Sequence, residues 1–268
     1  MESLTLYHND LSTCSQKVRL ILSAKGIKYK SQLLDIASGE HHNKDYVKLN
    51  PNHVVPTLID NNHILCESSL INEYLEEKYP EIKTSPDSPS EKHAMRLWVK
   101  YVDEMVSPFA AAITFGIGAR PLLLNLPKEN LENNINQIPN ENKRNERKSI
   151  LKDGIHSKEV YNSLKHFILF LNKMEIEMPP GGWLSGKSFG LADAAAFPFI
   201  LRLDHLSLDF LFCNTKMPKV NKWYSQFHEL PFFKEAITDF LPLPLVEVFR
   251  TNGKEEEKNI LKLINNFK

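Results

Sequence analysis

The 268-residue chain carries 33 Lys+Arg against 33 Asp+Glu, with 42% hydrophobic residues. This is ordinary globular usage, and the balanced charge provides no field to recruit nucleic acid or an anionic membrane. The length admits one large domain or two modest ones, either able to bury a real core. Cys14, Cys66 and Cys213 lie far apart, without metal-type spacing or an even framework, which points to a reducing cytoplasm. The opening Met-Glu-Ser-Leu-Thr lacks the basic and apolar regions of a secretory signal, and no run approaches the ~18 apolar residues of a membrane span.

Leu4 and Leu6 alternate with Thr5 and Tyr7, the period of a half-buried strand. From Ser15 onward, Val18, Ile21, Leu22 and Lys25 give helical spacing with one apolar stripe. Ser12-Thr13-Cys14-Ser15 therefore sits where a helix opens. The first N–H groups of a helix lack internal partners and the dipole adds partial positive charge, so an anion is favoured there. Lowering a thiol pKa by about two units needs ~2.7 kcal/mol. A helix terminus offers roughly 0.3–1 kcal/mol, up to ~2 when partly buried, and a hydroxyl donating to a charged acceptor adds about 1.5–3 kcal/mol. Together these suffice. In isolation, Ser12 and Ser15 read equally as simple helix caps.

Tyr29 to Ile36 reads as a second strand, followed by the polar stretch Ala37 to Lys44. Thr57-Leu-Ile59 and Ile64-Leu-Cys66 form a hairpin around Asp60-Asn-Asn62. Glu67-Ser-Ser69 opens a helix with Leu70, Ile71, Tyr74 and Leu75 on one face, ending before Pro80. The order β-α-β, link, β-β-α makes residues 1–80 a small α/β domain. Residues 81–89, rich in Pro and Ser, form a linker, and Ser88-Pro89-Ser90-Glu91 is a helix start. Residues 90–268 show no strand alternation and read as an all-helical domain, with helices at 158–171, 191–203, 218–227 and 232–240. Residues 116–156 read as irregular and polar, a solvated helix or loop, and the charged segment 254–268 as a fraying end. There is no phosphate-cradling glycine loop and no HExxH, and so no call for a metal or nucleotide.

Leu-Tyr-x₄-Ser-x-x-Ser-x-Lys-Val-Arg-Leu, Asn50-Pro51…Val55-Pro56, Glu67-Ser68, Leu191-Ala192-Asp193 and Pro218…Trp223…Pro231-x-Phe233 occur here in one order. In that order and spacing the chain resembles the cytosolic glutathione transferases across both domains. The resemblance implies a thioredoxin-like N-terminal domain followed by a helical C-terminal domain, a homodimer, and glutathione as co-substrate. It implies that a cis Val55–Pro56 bond turns the Val55 N–H and C=O toward the cysteinyl backbone of glutathione. Glu67 and Ser68 then suit the γ-glutamyl end, although the same residues also read as a helix cap. His41 matches a histidine that reaches the glycyl carboxylate in theta-like members; otherwise it is a surface histidine. Val54 and Pro56 complete the glutathione-binding set, with Val54 standing where many members have a contacting Lys or Gln. Gly190 replaces the usual Ser/Thr cap before Asp193.

Ser12 takes the catalytic position of the serine-type classes, theta and zeta among them. The long segment after the first C-terminal helix resembles bacterial β-aryl-ether-cleaving members. Ser12-x-Cys14-Ser15 with Val54-Val55-Pro56 resembles zeta-type reductive dehalogenases, in which a cysteine two after the serine resolves a glutathionyl intermediate. Cys14 reads either as that resolving thiol or as a small buried residue. The implied activity is attack of the glutathione thiolate on an apolar electrophile. Its pocket is expected between the domains, under residues from about 105 to 125: Phe109, Phe115, Leu122 and Leu123, unless these are core. Ether cleavage or dehalogenation through Cys14, and a non-catalytic binding protein of the same fold, are the alternatives.

Overall fold

The computed structural model describes residues 4–265 and 267. Its packing divides the chain into two compact units, the first comprising 1–103, 178–198 and 222–242, the second 104–177, 199–221 and 243–268.

The first unit is built on a mixed four-stranded sheet in the order β2-β1-β3-β4. β1 (Leu4–His8) runs parallel to β2 (Lys30–Leu33) and antiparallel to β3 (Thr57–Asp60), which returns as β4 (His63–Leu65). Leu4, Leu6 and Leu58 are buried, and Leu6 pairs with Leu58 across β1 and β3. The hairpin turn falls on Asn61-Asn62, with Asn61 left-handed at φ 53°, a conformation asparagine tolerates. The second strand is shorter than Tyr29–Ile36: the Asp35 carboxylate takes the N–H groups of Ala37 and Ser38 and turns the chain away. α1 (Thr13–Ala24) is buried from Ser15 to Ser23, Gln16, Lys17 and Arg19 included, so a single apolar stripe understates its contacts. α2 (Lys44–Leu49) and α3 (Ser68–Lys78) complete the α/β part, and α4 (Pro89–Met105) follows.

Asp193, at the start of α10 (Leu191–His205), ties the later segments of this unit together. Its carboxylate accepts from Leu184 N (2.7 Å), Ser185 N (3.1 Å), Gly190 N (3.1 Å) and the Trp223 indole (2.8 Å). Gly190 has a steric reason to replace serine or threonine. A Cβ there would stand 2.2 Å from the Thr84 carbonyl oxygen. Ser185 Oγ caps Ala192 N instead, at 3.0 Å.

In the second unit, the span expected to be irregular is mostly helix. α5 (Ala110–Ile113) runs through a π-helical turn at Thr114–Ala119 into α6 (Arg120–Leu124), then α7 (Lys128–Asn136) and α8 (Glu141–Asp153). Its sequence is too polar to display an apolar period; Ile135, Ile150 and Leu151 alone carry the burial of α7 and α8. α9 (Lys158–Glu177) extends beyond residue 171. The charged end is also helical: α13 (Leu243–Ile264) buries Val246, Phe249, Gly253 and Ile260, and a Cβ at Gly253 would meet the Leu206 carbonyl oxygen at 1.7 Å. α11 (Pro218–Phe227) lies where expected, and 232–240 resolves into α12 (Phe233–Ala236) and a 3₁₀ turn. Pro89–Leu124 contains a window long and apolar enough, by length and composition alone, to cross a membrane, a test that buried core helices also pass.

Candidate functional site

β1 hands the chain to α1 through Asn9–Leu11, and that loop is held from within. The Asn9 side-chain oxygen accepts from Leu11 N and Ser12 N, both at 3.1 Å, while its amide donates to the Leu34 carbonyl at 3.0 Å. Ser12 is the N-cap of α1, its Oγ accepting from Ser15 N at 3.2 Å. Capping occupies an acceptor lone pair and leaves the hydroxyl proton available to a further acceptor. Cys14 lies half-buried in the first turn and forms no disulfide. Ser15, fully buried, accepts from Asn9 N at 3.3 Å.

Arg19 secures the same loop from the far side. It donates to the carbonyls of Asn9 (3.0 Å), Asp10 (3.0 Å) and Ala236 (2.8 Å), and to His8 Nδ1 (3.1 Å). An arginine only donates, so His8 Nδ1 accepts and Nε2 carries the proton given to Ser31 Oγ at 2.7 Å. Burial, then the Arg19 charge, push His8 down to about 3.

The Val55–Pro56 bond is cis. The loop before it is braced by Tyr46 and Asn50, whose hydroxyl and amide reach the Val54 carbonyl at 2.6 and 2.9 Å and Thr57 Oγ1 at 3.0 and 3.2 Å. Among the described residues no hydrogen bond engages the Val55 N–H or C=O. Val54 projects at the surface. Glu67 sits at φ 67°, a left-handed conformation rare outside glycine and found at functional sites. Its carboxylate meets Asn52 Nδ2 at 3.4 Å, and Ser68 follows, buried, as the first residue of α3. Lys17, buried in α1, reaches Ser69 Oγ at 2.7 Å and Asp103 at 2.6 Å, which fastens α1 to α3 and α4.

His41 lies in a 3₁₀ turn, its ring 3.8 Å from that of His42, and His42 Nδ1 stands 3.4 Å from His53 Nδ1. Burial, then the charges of His42 and His53, push His41 down to about 4. Separate contacts tie α1 to α3 through Lys17–Ser69, Glu67 to Asn52, and His42 to His53 and His41. Phe109 and Phe115 belong to the second unit. Phe109 stacks on His166 at 3.6 Å, and Phe115 lies under the Arg147 guanidinium.

Residues 6–86 match the glutathione S-transferase N-terminal domain and residues 156–231 its C-terminal domain, together more than half of the chain. The chain belongs to the glutathione S-transferase family. Glutathione S-transferase GstB of Escherichia coli (strain K12) is 26% identical over 236 residues, 87% of this chain and 97% of that protein. Protein LigF of Sphingobium sp. is 31% identical over 137 residues, 50% of this chain and 53% of LigF. Among solved structures, β-etherase LigF aligns with a TM-score of 0.77 at 23% identity, over 87% of this chain and 98% of LigF. Drosophila melanogaster glutathione transferase E6 aligns at 0.69 and 21%, over 94% and 98%. At these identities the alignments establish the transferase fold, including the thioredoxin-like domain at the start of the chain.

Sequence reasoning missed Asn9, Lys17 and His53. An asparagine three residues before a hydroxyl-rich helix cap is a readable turn signal. A lysine buried mid-helix is not readable, because its counter-charge, Asp103, lies 86 residues away.

Proposed function

We propose that this transferase activates the glutathione thiol at Ser12 for attack on an electrophilic carbon of an apolar substrate. The observation that carries the reading is the Ser12 hydroxyl at the α1 N-terminus, its acceptor side spent on Ser15 N and its backbone N–H held by Asn9. The hydroxyl donates to the thiolate, and the helix terminus supports the same charge. The Val55 N–H and C=O pair with the cysteinyl backbone of glutathione, Glu67 takes the ammonium and Ser68 the carboxylate of the γ-glutamyl end, and His41 meets the glycyl carboxylate. Catalysis then consists of a lowered thiol pKa and proximity.

The same thiolate serves ether cleavage or reductive dehalogenation if Cys14 resolves a glutathionyl intermediate, and the LigF likeness favours keeping that second reading. A homodimer fits the outer faces of α3 and α4, where Leu70 and Leu97 are more than half exposed and Glu73 pairs with Arg96 at 2.8 Å. Steady-state kinetics with a simple aryl halide test the serine role. Ser12→Ala should lower turnover ~10–100-fold, equivalent to about 1.4–2.7 kcal/mol, while Cys14→Ala changes little. Full conjugating activity in Ser12→Ala sinks the serine mechanism. A Cys14→Ala enzyme that stalls with glutathione bound to substrate transfers the assignment to the exchange cycle.

A further inference from the structure

Three histidines of the first unit gather at the end assigned above to the glycyl carboxylate. His41 and His42 stand in the 3₁₀ turn Glu40–His42, and His53 in the loop ahead of the cis bond. The His41 and His42 rings lie 3.8 Å apart and the His42 and His53 rings 5.4 Å apart, with 3.4 Å between the Nδ1 atoms of the second pair. His53 holds a left-handed backbone at φ 56°, where glycine is the unstrained choice, so its ring stands beside His42 at a conformational cost. Among the described residues His41 Nδ1 is buried with no hydrogen-bond partner.

The charged groups around the cluster are committed elsewhere. Asp35 is the carboxylate whose charge favours a proton on His41, but its Oδ1 already accepts from Ala37 N (2.8 Å) and Ser38 N (3.2 Å). Glu40 Oε2 accepts from Asp35 N at 2.8 Å, and Glu67 meets Asn52. On α2, which packs beside the turn, Asp45 pairs with Lys48 at 2.7 Å and Lys44 is exposed. Burial, then the charge of His53, lower His42 as they lower His41. Imidazoles this close suppress one another's protonation: the His42–His53 pair can hold one proton between its Nδ1 atoms and takes a second poorly. An incoming carboxylate reverses that balance, because a nearby anion favours the charged form of a base. We propose that His41, His42 and His53 form one proton-accepting cradle for the glycyl carboxylate, so that glutathione binds together with a solvent proton held by the His42–His53 pair. This rests on the glutathione reading above and concerns its regulation. The bound form carries the extra proton, so affinity rises as pH falls.

Calorimetric titration of the full chain with S-methylglutathione tests this, because that ligand has no thiol to titrate. Buffers of low and high ionisation enthalpy, compared at pH 6.5, read the protons exchanged on binding. About 0.3–1 proton should be taken up per ligand, and affinity should rise roughly threefold to tenfold between pH 8 and pH 6. The glycyl ethyl ester of the same ligand should bind with little or no uptake. His42→Gln and His53→Gln should each cut the uptake by about half or more, and His41→Gln should weaken affinity severalfold. His53→Gly, which suits the left-handed backbone, should keep or raise the melting temperature and still lose the uptake. Binding without uptake overturns this proposal and leaves the glutathione reading standing, whereas no binding at any pH overturns that reading and this one with it. Uptake that the ester matches, or that survives both His42→Gln and His53→Gly, places the proton elsewhere and overturns the proposal.

Discussion

Arg19 and Arg147 are both lowered to about 10 by burial, and both lie over a phenylalanine ring, Phe240 at 4.4 Å and Phe115 at 3.1 Å. They differ in what meets their N–H groups. Arg19 has three backbone carbonyls and an imidazole nitrogen, all from its own unit, and so clamps the loop ahead of Ser12 onto the segment carrying Ala236. Arg147 has the ring alone. Arg19 is fully buried and Arg147 only partly, yet both are lowered to about 10, so the shift alone does not say which arginine is structural. The inventory of acceptors does: a guanidinium saturated with internal carbonyls is a strut, and one without them is left to solvent.

The sharpest way to break that contrast is to remove each cation in turn. Arg19→Met strands the carbonyls of Asn9, Asp10 and Ala236 and the His8 nitrogen. It should cost about 3–5 kcal/mol, the loss typical of deleting one partner from a buried charged network. Arg147→Met strands nothing and should be neutral or stabilising. Denaturant unfolding of both variants measures the difference. Equal destabilisation would show that Arg147 has internal partners in solution.

A smaller effect follows from His8, which burial first and the Arg19 charge second keep neutral. Folded His8 takes a proton only near pH 3, whereas an unfolded histidine does so near 6.5. Protons therefore favour the unfolded chain as pH falls through that window. Between pH 7 and pH 5, His8 should remove about 2 kcal/mol of stability. His205 in the second unit, buried and also lowered to about 3, should act likewise. Unfolding free energies for wild type and His8→Gln at the two pH values isolate the first contribution. A profile that His8→Gln leaves unaltered would mean that the imidazole is solvated.

What was legible in the sequence follows from range. Ser12, Val55, Glu67 and Ser68 announce themselves through local features: a hydroxyl at a helix start, a Val-Val-Pro loop ahead of a strand, an acid-serine pair ahead of an apolar period. The strand alternation of β1 and β3 is equally local. Residues 116–156 were obscure because α7 and α8 bury few apolar side chains, and a polar helix carries no period. α13 was obscure because its long charged end hides Gly253 and Ile260, whose role depends on Leu206 and other distant packing. Arg147 was illegible for a related reason. An arginine in a basic run reads as solvated, and only the fold reveals that its neighbours found carbonyls and it did not.

The smallest effect concerns Asn9, which belongs to the saturated side of the comparison because its carbonyl is one of the acceptors of Arg19. Its side-chain oxygen fixes Leu11 N and Ser12 N, so it sets where the Ser12 hydroxyl points without itself reaching glutathione. Asn9→Ala should lower stability by only about 1 kcal/mol, because the freed N–H groups are part-buried and water can reach them. Its signature should appear in the chemistry. If the proposed serine role holds, a less well fixed hydroxyl stabilises the thiolate less, and turnover falls roughly threefold to tenfold, equivalent to about 0.7–1.4 kcal/mol. Thiolate absorbance of bound glutathione followed against pH should show its pKa rising in Asn9→Ala, with affinity for glutathione nearly unchanged. A purely structural asparagine would shift the melting temperature and leave the thiol pKa where it was. That result would place the orientation of Ser12 in the α1 cap itself.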